Sequence, residues 1–424
     1  MFESINDVTQ FFIERQKFGI KPGLDRVEFL LEQVDHPEQK INGIHVAGTN
    51  GKGSTIQIVD EVLQAHQYRV GVFTSPSFTG ITGHFFINGE TISENDFLQL
   101  LNELLPHIQL LDGRDNHPTE FEILTVIGLM YFSEQTDIVL VETGMGGRYD
   151  TTNCFTPLIS VITSIDYDHM GFLGDTLEEI AFHKAGIMKK ERPLVIGKVT
   201  EAVRKVIDKE ANKLAVPVYA YGVDFQLDGE NVTIKNEAIS YDTTHLGLLG
   251  VHQKENASVA LMVFTLLQKL GWELETNYIK KALQQTTLPG RLEVIHEHPT
   301  IILDSAHNVA GVKALAKTIE NLYSQDEKIL LFAGFSDKQL PEMMTIVRPL
   351  FEQVYVTTFD HERAATEKQL KETLDYDLFI EQWEQKVLDM FNGPKEKTYV
   401  ISGSLHFITL VRQFILMRKN RHYS

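Results

Sequence analysis

The stretch HVAGTNGKGST, residues 45–55, runs out of a short β-rich segment and into a helical one. A Walker A loop has a glycine, four free residues, then Gly-Lys-Ser/Thr. Here Lys52 is followed by Gly53, and the leading Gly48 comes two residues too late. The placement is more informative than the spacing. In a strand-loop-helix unit the helix N-terminus presents unpaired N–H groups and a partial positive charge. Glycines let that backbone approach phosphate oxygens. Lys52 adds a mobile full charge, and Ser54 and Thr55 offer hydroxyls suited to Mg²⁺ or to a cap. The competing reading is a tight strand-helix turn with a solvated lysine. Gly48, Gly51, Gly53, Asn50, Lys52 and Ser54 together favour a nucleotide loop.

Around this loop the chain alternates. INGIHVA and RVGVFT read as strands, with STIQIVDEVLQAH as a helix between them. Helical patterns follow over roughly 94–111 and 119–135. DIVLVE and PLISVIT are continuous apolar runs, as expected of strands buried on both faces of a parallel sheet. LEEIAFHKAGIM is helical, PLVIGK a strand and EAVRKVIDKEANKLA a helix. Residues 223–241 alternate polar and apolar around DGEN, which predicts a β-hairpin. Helices follow from about 253 to 270 and on to about 285. TIILD, KILLFAG, QVYVTTF and TYVISG then alternate with helical patterns up to LHFITLVRQFILM. The fold class is therefore α/β with two domains. An N-terminal P-loop ATPase-like parallel sheet domain is expected over 1–293, and a smaller C-terminal Rossmann-like α/β domain over 299–424. The Pro- and Gly-containing seam puts a linker at about 294–298.

Bulk properties narrow the function. The chain has 424 residues, 43% hydrophobic and 23% charged, in the range of a folded soluble protein. The net charge of −19 argues against nucleic acid, whose phosphate backbone needs a basic face. A small anion is still admissible, because a local pocket can be positive on an acidic protein. The single Cys154 allows no intrachain disulfide and suits a reducing compartment. It reads as a small core residue rather than a nucleophile. With no signal peptide pattern and no apolar run of membrane-spanning length, the expectation is a cytoplasmic protein with no membrane partner.

Further candidates sit where open parallel sheets bind ligands, beyond the carboxyl ends of strands. Glu142 ends an apolar strand and leads into TGMGG, where a carboxylate could hold Mg²⁺ near a triphosphate or merely pair with an arginine. Asp168 and His169 follow VITSI, and a lone histidine is more often structural. Lys184 lies among apolar neighbours on a helix, where snorkelling is the ordinary reading and a reactive amine the alternative. Asp304, His307 and Asn308 follow TIILD, with capping and turn roles as alternatives. Arg291 at the seam and Asn256 in HQKENASVA could face a ligand or solvent.

Taken in order, these stretches resemble the folylpolyglutamate synthase and dihydrofolate synthase family of the Mur ligase superfamily. The resemblance spans essentially the whole chain. GTNGKGST is similar to that family's own phosphate loop. TSP (74–76), VETGMGGRYDTTN (141–153), DH (168–169), HKAGI (183–187), HQKENA (252–257), PGRLE (289–293), AHN (306–308), DK (337–338) and SGSL (402–405) follow in the family's order. The resemblance implies ATP binding by Gly51, Lys52, Gly53, Ser54, Asn256, Arg291 and Asp304. It implies two Mg²⁺ sites, one on Ser75 and Glu142 and one on Glu142 and His169, and a monovalent cation such as K⁺. Lys52, Glu142, His169 and Lys184 are the implied catalytic set, with Lys184 carbamylated. His307 and Ser404 fall near the incoming glutamate.

The implied reaction is ATP-dependent addition of L-glutamate to the terminal γ-carboxylate of a folate through an acyl phosphate, releasing ADP and phosphate. A folate or pterin and L-glutamate are the implied substrates, and a monomer the expected state. Dihydrofolate synthase activity on dihydropteroate, alone or alongside, is the alternative. A repurposed nucleotide-binding paralogue is a further one, motivated by SFTGITGH (77–84). Thr82, Gly83 and His84 stand there where the family often has Asn-Glu-Arg, and Ser305 replaces a usual glycine. A cell-wall ligase would need an extra N-terminal substrate domain, for which there is no room before residue 45.

Overall fold

A computed structural model describes residues 1–19, 21–77, 80–237 and 240–421, and side chains up to 418. The chain divides into two compact units. One comprises residues 1–245 and 255–285, the other residues 246–254 and 286–424.

Among the described residues, the first unit carries an eight-stranded sheet. Its order is Glu90–Thr91, Phe85–Ile87, Val70–Phe73, Ile138–Glu142, Gly43–Ala47, Ile159–Ile162, Leu194–Ile196, Val218–Ala220. The last six are mutually parallel, and the first two form an antiparallel hairpin against Val70–Phe73. Every residue of Gly43–Ala47, Ile138–Glu142 and Ile159–Ile162 is buried, which is why these runs are mostly apolar rather than alternating, with His45, Ser160 and Glu142 as the polar exceptions. One face of this sheet packs Ile123, Val126 and Phe132 of helix Glu120–Phe132 together with Phe97, Leu101 and Leu104 of helix Glu94–Asp112. Further along the same face, Ala47, Ile162, Leu194 and Ile196 meet Ala181 and Ala185 of helix Leu177–Ala185 and Val203 and Ile207 of helix Glu201–Lys213.

The expected hairpin at 223–241 forms, with Asn231 opposite Asp228, and Ser240–Asp242 adds a third antiparallel strand. The hairpin at 85–91 was not expected. Its Phe-Phe-Ile is too short for alternation to declare itself, and Asn88 and Gly89 both turn with positive φ.

The second unit carries a six-stranded sheet, in the order Glu293–Glu297, Thr300–Leu303, Lys397–Ser402, Glu327–Phe332, Gln353–Thr357, Leu378–Ile380. All pairs are parallel except the first. The stretch expected as a linker, 294–298, thus supplies an edge strand. Its mixed polarity reflects one solvent-facing edge, not a lack of structure.

Candidate functional site

The phosphate-loop candidate lies between the central strand Gly43–Ala47 and helix Lys52–Ala65. Gly51 is the N-cap, in the left-handed region at φ 87°, and no side chain caps the helix. A Cβ there would come within 2.3 Å of Asn256 Oδ1. At Gly48 it would meet Thr163 Oγ1 at 1.9 Å. The loop is stitched to the end of the neighbouring strand. Asn50 N–H donates to Ser164 Oγ at 2.9 Å, and the Asn50 carbonyl accepts from Thr163 Oγ1 at 2.6 Å. Lys52 Nζ donates to Gly48 O at 3.1 Å and lies 3.8 Å from Glu142 Oε1. Thr55 Oγ1, fully buried behind Ser54, has no hydrogen-bond partner.

His45, at the start of the motif, is structural. Its Nε2 lies 2.8 Å from Thr152 Oγ1, whose proton goes to Asp150. Burial, assisted by the Lys189 charge, pushes its pKa down to about 3, so the ring is neutral.

Glu142 is 6% exposed at the carboxyl end of its strand. Its Oε2 accepts from the Thr74 hydroxyl and from Ser75 N–H at 3.4 Å. Ser75, Glu142 and Lys52 are thus brought together. His169 is in the left-handed region at φ 51°, an uncommon place for a residue with a Cβ, and its Nε2 is 3.8 Å from Asp168 Oδ2. Lys184 does not snorkel. It is 4% exposed and has no hydrogen-bond or ion-pair partner among the described residues. Burial, and then the charge of Lys52, pushes its pKa down to about 7, against the pull of Asp168 and Asp150. Cys154 packs against the core, and burial raises its thiol to about 12, so it is no nucleophile.

In the second unit, Asp304 follows strand Thr300–Leu303, and its own N–H donates to Ile401 O at 3.0 Å. Its carboxylate accepts from Leu292 and Ala306 N–H, each at 3.0 Å. Burial raises its pKa, and Arg291 works against that rise. Ser305 Oγ donates to Gly290 O at 2.9 Å, which gives the unexpected serine a local role. His307 Nδ1 lies 2.9 Å from Ser305 O. Ser404 follows the adjacent strand, Lys397–Ser402, and its buried Oγ has no partner. Asp304, His307 and Ser404 therefore share one end of this sheet.

The first unit also holds a cavity of about 550 Å³ that the motif reading missed. Ser75, Pro76 and His84 line it, with Glu120, Phe121 and Leu124 from the start of one helix. Gly144, Met145, Gly147, Tyr149 and Asp150 come from the glycine-rich turn after Glu142, and Phe172, Leu173 and His183 complete that side. Tyr149 and Phe172 are each 53% exposed, which marks an aromatic mouth. Arg15 and Lys21 also border it, but Arg15 is consumed by Asp112 and by the Pro118 carbonyl. His84 Nδ1 donates to Thr74 O at 2.7 Å, and burial lowers its pKa, so its other nitrogen is a bare acceptor. His84 thus ties the atypical loop to Thr74, the residue whose hydroxyl donates to Glu142. Phe78 and Thr79 of that loop lie outside the described residues. The turn GMGGRYD, residues 144–150, carried the available signal for this cavity, since glycines at a strand end permit close approach.

The residues fit a nucleotide and a hard cation. The loop backbone is cleared of side chains by the two glycines, and the helix start is uncapped. Among the described residues no three His, Cys, Asp or Glu side chains converge as a metal cage. One carboxylate and one hydroxyl suit Mg²⁺, which keeps waters and takes phosphate oxygens as ligands.

Comparison with known proteins agrees with this arrangement. Residues 46–264 match the Mur ligase middle domain, and residues 290–404 match the Mur ligase glutamate ligase domain. The first match alone spans more than half the chain, so the protein is a Mur-type ligase. A dihydrofolate synthase/folylpolyglutamate synthase from Bacillus subtilis is 35% identical, over 97% of this chain and 99% of its own. The E. coli FolC structure in complex with DHPP and ADP superposes with a TM-score of 0.89 at 26% identity, covering 98% of this chain and 99% of that one. A bifunctional folylpolyglutamate synthase/dihydrofolate synthase with Mn, AMPPNP and L-glutamate bound gives 0.84 at 26% identity, over 97% and 98%. The chain belongs to the dihydrofolate synthase/folylpolyglutamate synthase family. Among the described residues no helix is long and apolar enough to cross a membrane.

Proposed function

We propose that this chain joins the amino group of L-glutamate to a carboxylate of a folate at the expense of ATP. The observation that carries the reading is the cluster of Lys52, Ser75 and Glu142 beside the cavity. A carboxylate is a poor electrophile because oxide is a poor leaving group. Phosphorylation by ATP replaces oxide with phosphate, and the amine of glutamate then displaces it, releasing ADP and phosphate. The protein's task is to orient the reactants and to offset charge on the phosphoryl oxygens.

In this reading the backbone of residues 51–54 and the Lys52 ammonium hold the phosphates. Ser75 and Glu142 hold one Mg²⁺, and Glu142 with His169 a second; bound Mg²⁺ would neutralise charge on the transferred group. Lys184, an unpartnered buried amine with a pKa near neutrality, is suited to react with CO₂ and become an anionic carbamate facing that charge. Asn256, Arg291 and Asp304 serve the nucleotide, and His307 and Ser404 the incoming glutamate. A monovalent cation such as K⁺, a monomeric state and a cytoplasmic location complete the proposal. The boundary between an ATP-binding part and a glutamate-ligating part is proposed to fall ahead of edge strand Glu293–Glu297.

Dihydropteroate is proposed as a second acceptor, because the Bacillus subtilis relative carries both names and the E. coli structure holds DHPP. The test is ADP release from purified protein with ATP, Mg²⁺, glutamate and either tetrahydrofolate or dihydropteroate. Release that requires both glutamate and one acceptor is expected. ATP binding without such turnover on either acceptor would instead favour a repurposed paralogue.

A further inference from the structure

In the second unit, the turn that carries Arg291 is braced on both flanks. Arg291 N–H donates to Leu288 O at 3.2 Å, and the next residue, Leu292, is left-handed at φ 48°. A branched side chain rarely sits there, and such strain persists only where the surroundings enforce it. Here they do. The Leu292 side chain is buried in the core of this unit, and its N–H is held by Asp304. On the other flank the Gly290 carbonyl accepts twice from Ser305, from its N–H at 2.8 Å and from Oγ at 2.9 Å. Those two bonds use both lone pairs of that oxygen. Gly290 N–H in turn donates to Glu293 Oε2 at 2.8 Å.

Glu293 is itself fixed. It stands opposite Leu303 at the start of the edge strand, and Arg412 Nε donates to both its oxygens, at 3.0 and 3.1 Å. Arg412 lies on the last helix, Leu405–Arg421, whose Phe407, Ile408 and Val411 are buried in the core. A line of contacts therefore runs from Arg412 through Glu293 to Gly290. The Arg291 guanidinium, by contrast, makes no hydrogen bond or ion pair with any described residue, although Asp304 is close enough to feel its charge. The fold thus spends five hydrogen bonds on the backbone around Arg291 and leaves its charged end over. An arginine mounted in this way gives up little backbone freedom on meeting an anion. Ordering one free residue would weaken association by about 5- to 30-fold.

We propose that Arg412, acting through Glu293, and Ser305 are positioning residues that present the Arg291 guanidinium to the phosphates of the nucleotide. This rests on the reading in which Arg291 serves the nucleotide. A guanidinium suits phosphate oxygens because its donors are planar and always charged. The test measures Kd for AMPPNP with Mg²⁺ by titration calorimetry. The proteins compared are the parent, R291A, R412M, S305A and each of the last two combined with R291A. R291A should bind about 10- to 100-fold more weakly, the range of a hydrogen bond to a charged group. R412M should bind about 5- to 30-fold more weakly. S305A, which removes one of the two donors to Gly290 O, should lose about 2- to 10-fold. Added to R291A, neither change should shift Kd by more than about twofold, because residues acting through one another are not additive.

A merely structural role would lower Tm and weaken binding as much without Arg291 as with it, and that result overturns the positioning assignment. A parent-like Kd in either single variant strikes that residue from it. If R412M does not fold, S305A decides, since it deletes one hydroxyl and keeps the N–H bond to Gly290 O. R291A binding within about threefold of the parent, less than a charged hydrogen bond contributes, removes Arg291 from the nucleotide site, and the positioning proposal falls with that reading. A weakened R291A with full additivity in both doubles leaves Arg291 in place and removes only its proposed supports.

Discussion

At the residue scale the proposed chemistry turns on two lysines. Lys52 lies against Glu142 and the Gly48 carbonyl, while Lys184 is buried with its pKa pushed down to about 7 by burial and by the Lys52 charge. Replacing Lys52 by Met removes the charge that the proposal sets against the phosphoryl oxygens. A fall in kcat of about 100- to 1000-fold is expected, the scale seen when one preorganised donor is lost. A K52M enzyme within threefold of the parent would refute the role. For Lys184, ¹³C-labelled bicarbonate should give one carbamate resonance in the parent and none in K184M. No resonance in the parent would leave Lys184 as an unmodified amine. The sequence placed Lys52 and Glu142 at site-like positions through glycines and strand ends. It could not tell a snorkelling Lys184 from a buried one, because both readings put a lysine among apolar neighbours on a helix.

At the element scale, the strand-loop-helix around Gly43–Ala47 and Lys52–Ala65 was legible because periodicity changes sharply there. The hairpin at 85–91 and the edge strand Glu293–Glu297 were not, being short or polar on one side. Gly51 joins the two halves of this unit. Its φ of 87° is one that an L side chain rarely adopts, and a Cβ would clash with Asn256. G51A is expected to cost about 1–3 kcal/mol of stability from backbone strain alone. Chemical denaturation checks this, and N256A in the same background should recover the part owed to the clash. An unaltered midpoint in G51A would mean that the loop adapts.

For the molecule as a whole, buried titratable groups shape stability against pH. The His45 pKa falls from 6.5 to about 3 in the fold, so the unfolded chain binds a proton that the folded chain refuses. Its contribution is present above about pH 6.5 and is lost as pH falls toward 3. Asp60 goes the other way, from 3.8 up to about 7 through burial, so the folded chain keeps a proton that the unfolded chain releases. Stability from this group is full below pH 3.8 and declines as pH rises to 7. D60N should therefore be more stable than the parent at pH 8, by about 1–3 kcal/mol, and similar to it near pH 4. Equal unfolding midpoints at pH 8 would contradict the shift. Two α/β units were legible from the alternation, but the return of residues 255–285 to the first unit was not, since no local pattern encodes it. That return has a consequence for synthesis. Asn256, against which Gly51 is seated, leaves the ribosome some two hundred residues after the loop it supports, so a nascent chain that has displayed the whole HVAGTNGKGST motif still lacks the side chain that walls that loop.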